Sequence, residues 1–146
     1  MTTSLKPGLV DANVLVYAIN ADAPQHSSSR ALLESASAGL ATLYVTSQVL
    51  CEFYSIVTNK RRVSAPLSSG EAVQTLSSLS QVLAVLPTTA QSVDILASLL
   101  RRRPVVGGEV FDLQIVATMK ANDVLRIYTY NVADFKPFSE LEILVP

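Results

Sequence analysis

The chain has 146 residues, 49% apolar and 16% charged, with a formal net charge of −1. That length suits a single domain spanning residues 1–146 with a buried core. The charge excludes nucleic-acid binding through overall electrostatics, and no apolar run reaches the roughly 18 residues of a membrane span.

The segment "MTTSLKPG" has no hydrophobic stretch of the signal-peptide kind, so a cytoplasmic location is expected. In chain order, "GLVDANVLVYAI" opens with a short apolar run that predicts a strand over about residues 8–12, with helical spacing following at once. "APQHSSSRALLESASAG" reads as a helix entered through Pro24 and the serines and closed by Gly39. "TLYVTS" predicts a second strand, and "SQVLCEFYSIVTN" a helix capped by Thr46 or Ser47. Within that helix Cys51, the sole cysteine, reads as a small buried hydrophobe. After a loop through "RRVSAPLSS" come a helix in "SGEAVQTLSSLS", a strand in "VLAVLP" and a helix in "TAQSVDILASLLRR" whose basic end suits the helix dipole. "EVFDLQIVATMKAN" is a further helix, and "LRIYTY" and "LEILV" are the last two strands.

Short apolar strands alternating with helices predict an α/β domain, a parallel sheet with helices on both faces. The charged share is well below the roughly 25% of ordinary soluble domains. A doubly covered sheet explains part of that, and a hidden interface between two copies of the chain is expected to explain the rest.

In such sheets, sites form beyond the carboxyl ends of strands where the winding reverses. Asp11 falls at the end of the first strand and Asp134 just past the fourth, so the two acids meet if those strands are neighbours. Asp112 lies in the first turn of the helix leading to strand four, where the helix dipole favours its ionised form. Glu52 falls on a polar stripe with Gln48, Ser55 and Asn59. By itself that stripe reads as solvated, but the first turns of its helix can face the same crevice. Each aspartate also has an ordinary reading, Asp11 and Asp134 as turn or cap residues and Asp112 as a first-turn acid.

Several carboxylates at one point repel one another unless a cation joins them. Oxygen ligands without histidine or thiolate match Mg²⁺ or Mn²⁺, and such ions serve phosphodiester hydrolysis. His26, the sole histidine, reads as a surface residue near the start of a helix. A serine or cysteine hydrolase would therefore lack its histidine partner.

Four stretches carry a family resemblance: "LVDANVLVYA" with Asp11, "TSQVLCEFYSIVTN" with Glu52, "VFDLQIVATMKAN" with Asp112, and "YTYNVADF" with Asn131 and Asp134. In this order they resemble the PIN domain, in particular the VapC-type toxins of bacterial toxin–antitoxin pairs. The resemblance implies a three-layer sandwich whose five-stranded parallel sheet has the order 3-2-1-4-5. It implies a ribonuclease directed at single-stranded RNA, with Asp11, Glu52 and Asp112 holding Mg²⁺ or Mn²⁺ directly or through water. Asp134 is expected as an outer ligand, with Asn131 the second candidate for that position. It also implies a homodimer and a small antitoxin whose tail covers the acidic site.

Glu109, three residues before Asp112, is either a fifth acid at the site's rim or a first-turn acid serving its own helix. Lys60, Arg61 and Arg62 form one basic cluster and Arg101, Arg102 and Arg103 another, either of which can hold a phosphate backbone or simply end a helix. Tyr128 and Tyr130 read as packing residues. The alternatives to a toxin are a PIN nuclease of RNA processing or decay and a non-catalytic acidic-pocket domain. A receiver-like regulatory domain is one form of the latter. It would use a lysine such as Lys136, but "LVDANV" lacks the paired acids it needs.

Overall fold

A computed structural model describes residues 5–146. Residues 1–4, half of the stretch read for a signal peptide, lie outside the described residues. Strand β1 (Gly8–Val10) is followed by helices α1 (Ala12–Ile19) and α2 (His26–Ser37). Then come β2 (Leu43–Thr46), α3 (Ser47–Val57), α4 (Ser69–Val82) and β3 (Ala84–Leu86). Helix α5 (Ala90–Arg102), a 3-10 turn (Gly107–Glu109) and α6 (Val110–Ala121) lead to β4 (Arg126–Tyr128). The short helix α7 (Val132–Phe135) and β5 (Glu142–Leu144) complete the chain.

The sheet order is β3-β2-β1-β4-β5 and every pairing is parallel. A receiver-like domain has the order 2-1-3-4-5, so that alternative is removed. Helices α1 to α4 pack on one another in one layer, and α5 pairs with α6 in the other. Being covered twice, β1 is buried at all three positions, and Leu43, Val45, Ile127 and Tyr128 of its neighbours are buried too. The edges depart from that expectation. Ala84 and Val85 of β3 are exposed and β5 is half-buried throughout.

Strands β1 and β4 are adjacent, with Leu9 opposite Ile127 and Val10 opposite Tyr128. The chain leaves β1 toward β2 on one side, while β4 lies on the other. The winding therefore reverses between β1 and β4, and a crevice opens beyond their carboxyl ends.

Local chemistry sets the element ends. The Asp11 carboxylate accepts from the Ala12 N–H at 2.8 Å, so β1 stops earlier than its apolar run and α1 begins at once. Thr46 Oγ1 accepts from the Val49 N–H at 3.1 Å and starts α3 directly on the end of β2. Cys51 is exposed, contrary to the reading as a buried hydrophobe. The buried stripe of α3 is Val49, Phe53 and Val57, spaced by four, and Cys51 falls on the opposite side. Tyr128 and Tyr130 do pack. Tyr128 Oη donates to the Lys6 carbonyl at 2.6 Å, and Tyr130 meets Tyr17 edge to face at 5.2 Å.

Candidate active site

Asp11, the residue after β1, is buried, and burial raises its pKa. Hydrogen bonds from Thr129, Ala12 and Asn13 work against the rise, while the charge of Asp134 adds to it. Thr129 Oγ1 donates to Asp11 Oδ2 at 2.7 Å, and Asn13 Nδ2 donates to the same oxygen at 3.0 Å. Asn13 Oδ1 accepts from the Tyr130 N–H at 3.0 Å, and Thr129 Oγ1 from the Asn131 N–H at 3.0 Å. This network ties the exit of β1 to the exit of β4. It fixes the carboxylate on one side and leaves it anionic acceptor capacity on the other.

Glu52 sits one turn into α3, half-buried rather than solvated. Burial raises its pKa first, the Gln48 hydrogen bond lowers it, and the charge of Asp11 raises it again. Gln48 Nε2 donates to Glu52 Oε1 at 3.1 Å and to the Phe111 carbonyl at 2.8 Å. One side chain thus couples the start of α3 to the start of α6.

Asp112, in the first turn of α6, has its pKa pushed up to about 6. Burial is the main cause, followed by the charges of Asp134, Asp11 and Glu52. Four acids from four separate segments therefore act on one another across the crevice. Asp134, in α7, lines a cavity of about 160 Å³ together with Asp112, Glu109 and Arg103. Asn131 N-caps α7, but its side chain makes no capping hydrogen bond. Of the two candidates for the outer position, Asp134 is the one whose charge reaches Asp11 and Asp112.

Glu109 ends the 3-10 turn and N-caps α6 without a side-chain capping bond to it, so it does not serve that helix as a first-turn acid. It lines the cavity, and its Oε2 accepts from the Val106 N–H at 3.2 Å. His26 Nδ1 lies 2.9 Å from the Tyr17 carbonyl oxygen. Asn13 and Thr129 were not singled out from sequence. The signal for Asn13 was present, since it is the second polar residue in the apolar run "LVDANVLVYA". Thr129 gave none, because a threonine in a strand is ordinary.

The donor set is hard oxygen, suited to a Mg²⁺-like ion rather than to zinc. Among the described residues no three acidic, histidine or cysteine side chains converge as a finished metal-binding group. That arrangement still fits Mg²⁺, which keeps several of its waters and takes only one or two carboxylates directly.

A parallel α/β domain with mutually repelling carboxylates at its switch point is the class that fold and site define. The PIN domain family model matches residues 8–139, and the chain belongs to the PIN domain family. Among its relatives is Ribonuclease VapC24 of Mycobacterium tuberculosis, 29% identical over 136 residues that cover 88% of this chain and 89% of the relative. A similar solved structure is Mycobacterium tuberculosis VapC20, a Sarcin-Ricin loop cleaving toxin. Its TM-score is 0.66 at 20% identity, covering 89% of this chain and 94% of that one. VapBC2 from Rickettsia felis, bound to a DNA fragment from its promoter, gives 0.65 at 20% identity, covering 97% and 99%.

Proposed function

We propose that the chain is a metal-dependent endoribonuclease, the toxin of a VapBC-type pair. The observation that carries the reading is that Asp11, Glu52, Asp112 and Asp134 border one crevice closely enough for charge to act between them, raising Asp112 to about 6. The names of the relatives support the ribonuclease activity, and the VapBC assembly supports a small antitoxin as partner. A cytoplasmic location and a homodimer belong to the same reading. Among the described residues no helix is long and apolar enough to cross a membrane.

Asp11, Glu52 and Asp112 would hold Mg²⁺ or Mn²⁺ directly or through water, with Asp134 outside them and Asn131 the second candidate for that place. The ion would supply positive charge to a phosphate oxygen and lower the pKa of a bound water for attack on phosphorus. The chain's own residues prepare this. Thr129 and Asn13 aim the Asp11 carboxylate, and Gln48 orients Glu52.

The test is cleavage of single-stranded RNA in Mg²⁺, Mn²⁺ or EDTA by wild type, Asp11→Asn and Asp112→Asn. Metal-dependent products are expected from wild type, and a loss of at least about 100-fold, roughly 3 kcal/mol, in each variant. Asp112→Asn with intact metal-dependent turnover would sink the ligand assignment. Equal activity in wild type and Asp11→Asn would mark a contaminating nuclease.

A further inference from the structure

RNA brought to an acidic crevice meets repulsion that a bound cation offsets only locally. The flanking phosphates need positive charge from the chain, and the bases need a surface. Of the two basic clusters, Lys60–Arg62 follows α3, an 11-residue helix that is about 16 Å long. Its start, not its end, faces the acids. The other cluster reaches the crevice through one residue, because Arg103 lines the cavity with Glu109, Asp112 and Asp134.

The placement of Arg103 is fixed although its side chain is exposed. It C-caps α5, and its N–H donates to the Leu99 carbonyl at 2.8 Å. Pro104 follows and keeps it out of helical conformation, at φ −137° and ψ 79°. The ion pairs among the described residues use Lys6, Arg30, Lys120 and Arg126. Arg103 stands in none of them, so its planar fork of donors is open to a bidentate phosphate contact.

Immediately before Asp112 in the chain stands Phe111, 57% exposed. The ring adjoins Asp112 in the chain and its face is open to solvent, so it is available to a base. Its turn of helix is held by the Gln48 bond to its carbonyl, from the same nitrogen that orients Glu52. Gly108 lies beside the ring, where an added Cβ would come within 3.9 Å of it, so no side chain there covers the ring.

We propose that Arg103 and Phe111 form a subsite for single-stranded RNA beside the acidic crevice, the guanidinium binding a backbone phosphate and the ring stacking on a neighbouring base. The identity of the ligand rests on the ribonuclease reading. Stacking on a phenylalanine tolerates any base, so the pair supplies affinity and register rather than sequence choice.

The experiment measures binding of a fluorescein-labelled mixed-sequence 12-nucleotide RNA by anisotropy in Ca²⁺, at several salt concentrations. The same RNA is then assayed for cleavage in Mn²⁺. The proteins are wild type, Arg103→Ala, Arg103→Lys, Phe111→Ala, Phe111→Tyr and the control Arg101→Ala, each checked for folding by circular dichroism. Arg103→Ala is expected to weaken binding about 10-fold and flatten the slope of log affinity against log salt by about 0.7. Phe111→Ala is expected to weaken it about 10-fold with the slope unchanged. Phe111→Tyr should restore binding, Arg103→Lys should restore the slope, and Arg101→Ala should behave as wild type.

Wild-type affinity and slope in both alanine variants would overturn the subsite, and continued metal-dependent cleavage would then leave the nuclease reading standing. Weakened binding in both variants, with no cleavage by wild type in any metal, would support the subsite and overturn the nuclease. A wild type that neither binds nor cuts would overturn both. Phe111→Ala that changes the mass in light scattering while keeping RNA affinity would assign the ring to a protein contact and overturn its role in the subsite.

Discussion

Asp11 is buried with its charge uncompensated by any basic side chain in its network, and Thr129 is what makes that tolerable. The hydroxyl donates to Asp11 Oδ2 at 2.7 Å while accepting from the Asn131 N–H at 3.0 Å. Thr129→Val keeps the shape and leaves both groups short of a partner. A loss of about 1–3 kcal/mol in urea unfolding is expected. Apparent Mn²⁺ affinity should fall about 10- to 100-fold in calorimetric titration, as it does when partners behind a ligand are removed. Unchanged metal affinity would show that Thr129 serves stability alone. Asp112 yields a prediction with a definite sign. Its folded pKa of about 6 lies above its ordinary 3.8, so the folded state holds its proton more tightly. The stability it contributes is complete below about 3.8 and lost as pH rises through about 6. Glu140 and Glu142, both lowered by Lys120 or by Lys6 and Arg126, act in the opposite direction in acid. Comparison with Asp112→Asn removes their contribution. In EDTA, the variant should gain thermal stability over wild type between pH 5 and pH 7, and a constant difference would contradict the shift. The aspartates were legible in sequence because each interrupts or borders an apolar run, where an unpaired carboxylate is costly. Glu52 was legible only through family resemblance, since its polar stripe has the appearance of a solvated face.

At the level of elements, hydrophobic period and capping residues located the five strands and the long helices. The expected end of β1 runs too far because apolar residues continue past Asp11 into α1, while the expected end of β2 matches. Asp11 stops β1 by capping α1. Helix α7 covers only Val132–Phe135, little more than one turn, and so leaves no periodic signal. Cys51 was misplaced by residue type, whereas the spacing of Val49, Phe53 and Val57 already puts it on the outer side. Gly8 shows a constraint that pattern alone does not reveal. It lies in the central strand, and a Cβ there would approach the Tyr128 ring at 3.0 Å and the Arg126 carbonyl oxygen at 3.1 Å. The Tyr128 hydroxyl is itself tied to the Lys6 carbonyl, which limits the ring's retreat. Gly8→Ala should therefore destabilise the domain by about 1–3 kcal/mol in chemical denaturation. Because β1 and β4 set the spacing of Asp11 and Thr129, the same variant should also need more Mn²⁺ for cleavage. A neutral effect on both would mean that the β1–β4 contact relaxes freely.

For the whole molecule, the order β3-β2-β1-β4-β5 converts four distant stretches of sequence into one crevice. The sequence identified the strands, but their order followed from family resemblance, because apolar strands of similar length do not specify which neighbours they take. Asp11 leaves β1, Glu52 follows β2, Asp112 opens α6 and Asp134 follows β4, so the acids are near one another only when the sheet is complete. A cation that binds them together binds the folded chain and not the unfolded one. Its binding energy then adds to the stability of the entire domain. At a free Mn²⁺ concentration about 100 times its Kd, the gain is about 2.7 kcal/mol. For a domain of this length that corresponds to a rise in Tm of about 5–10 °C. EDTA should cancel the rise, and Asp11→Asn should show little of it while unfolding in one transition. Ca²⁺, larger and more flexible in its geometry, should compete for the same rise without supporting cleavage. A Tm that ignores Mn²⁺ in a correctly folded wild type would separate the fold from the metal and leave the four acids as a repulsive cluster with another purpose.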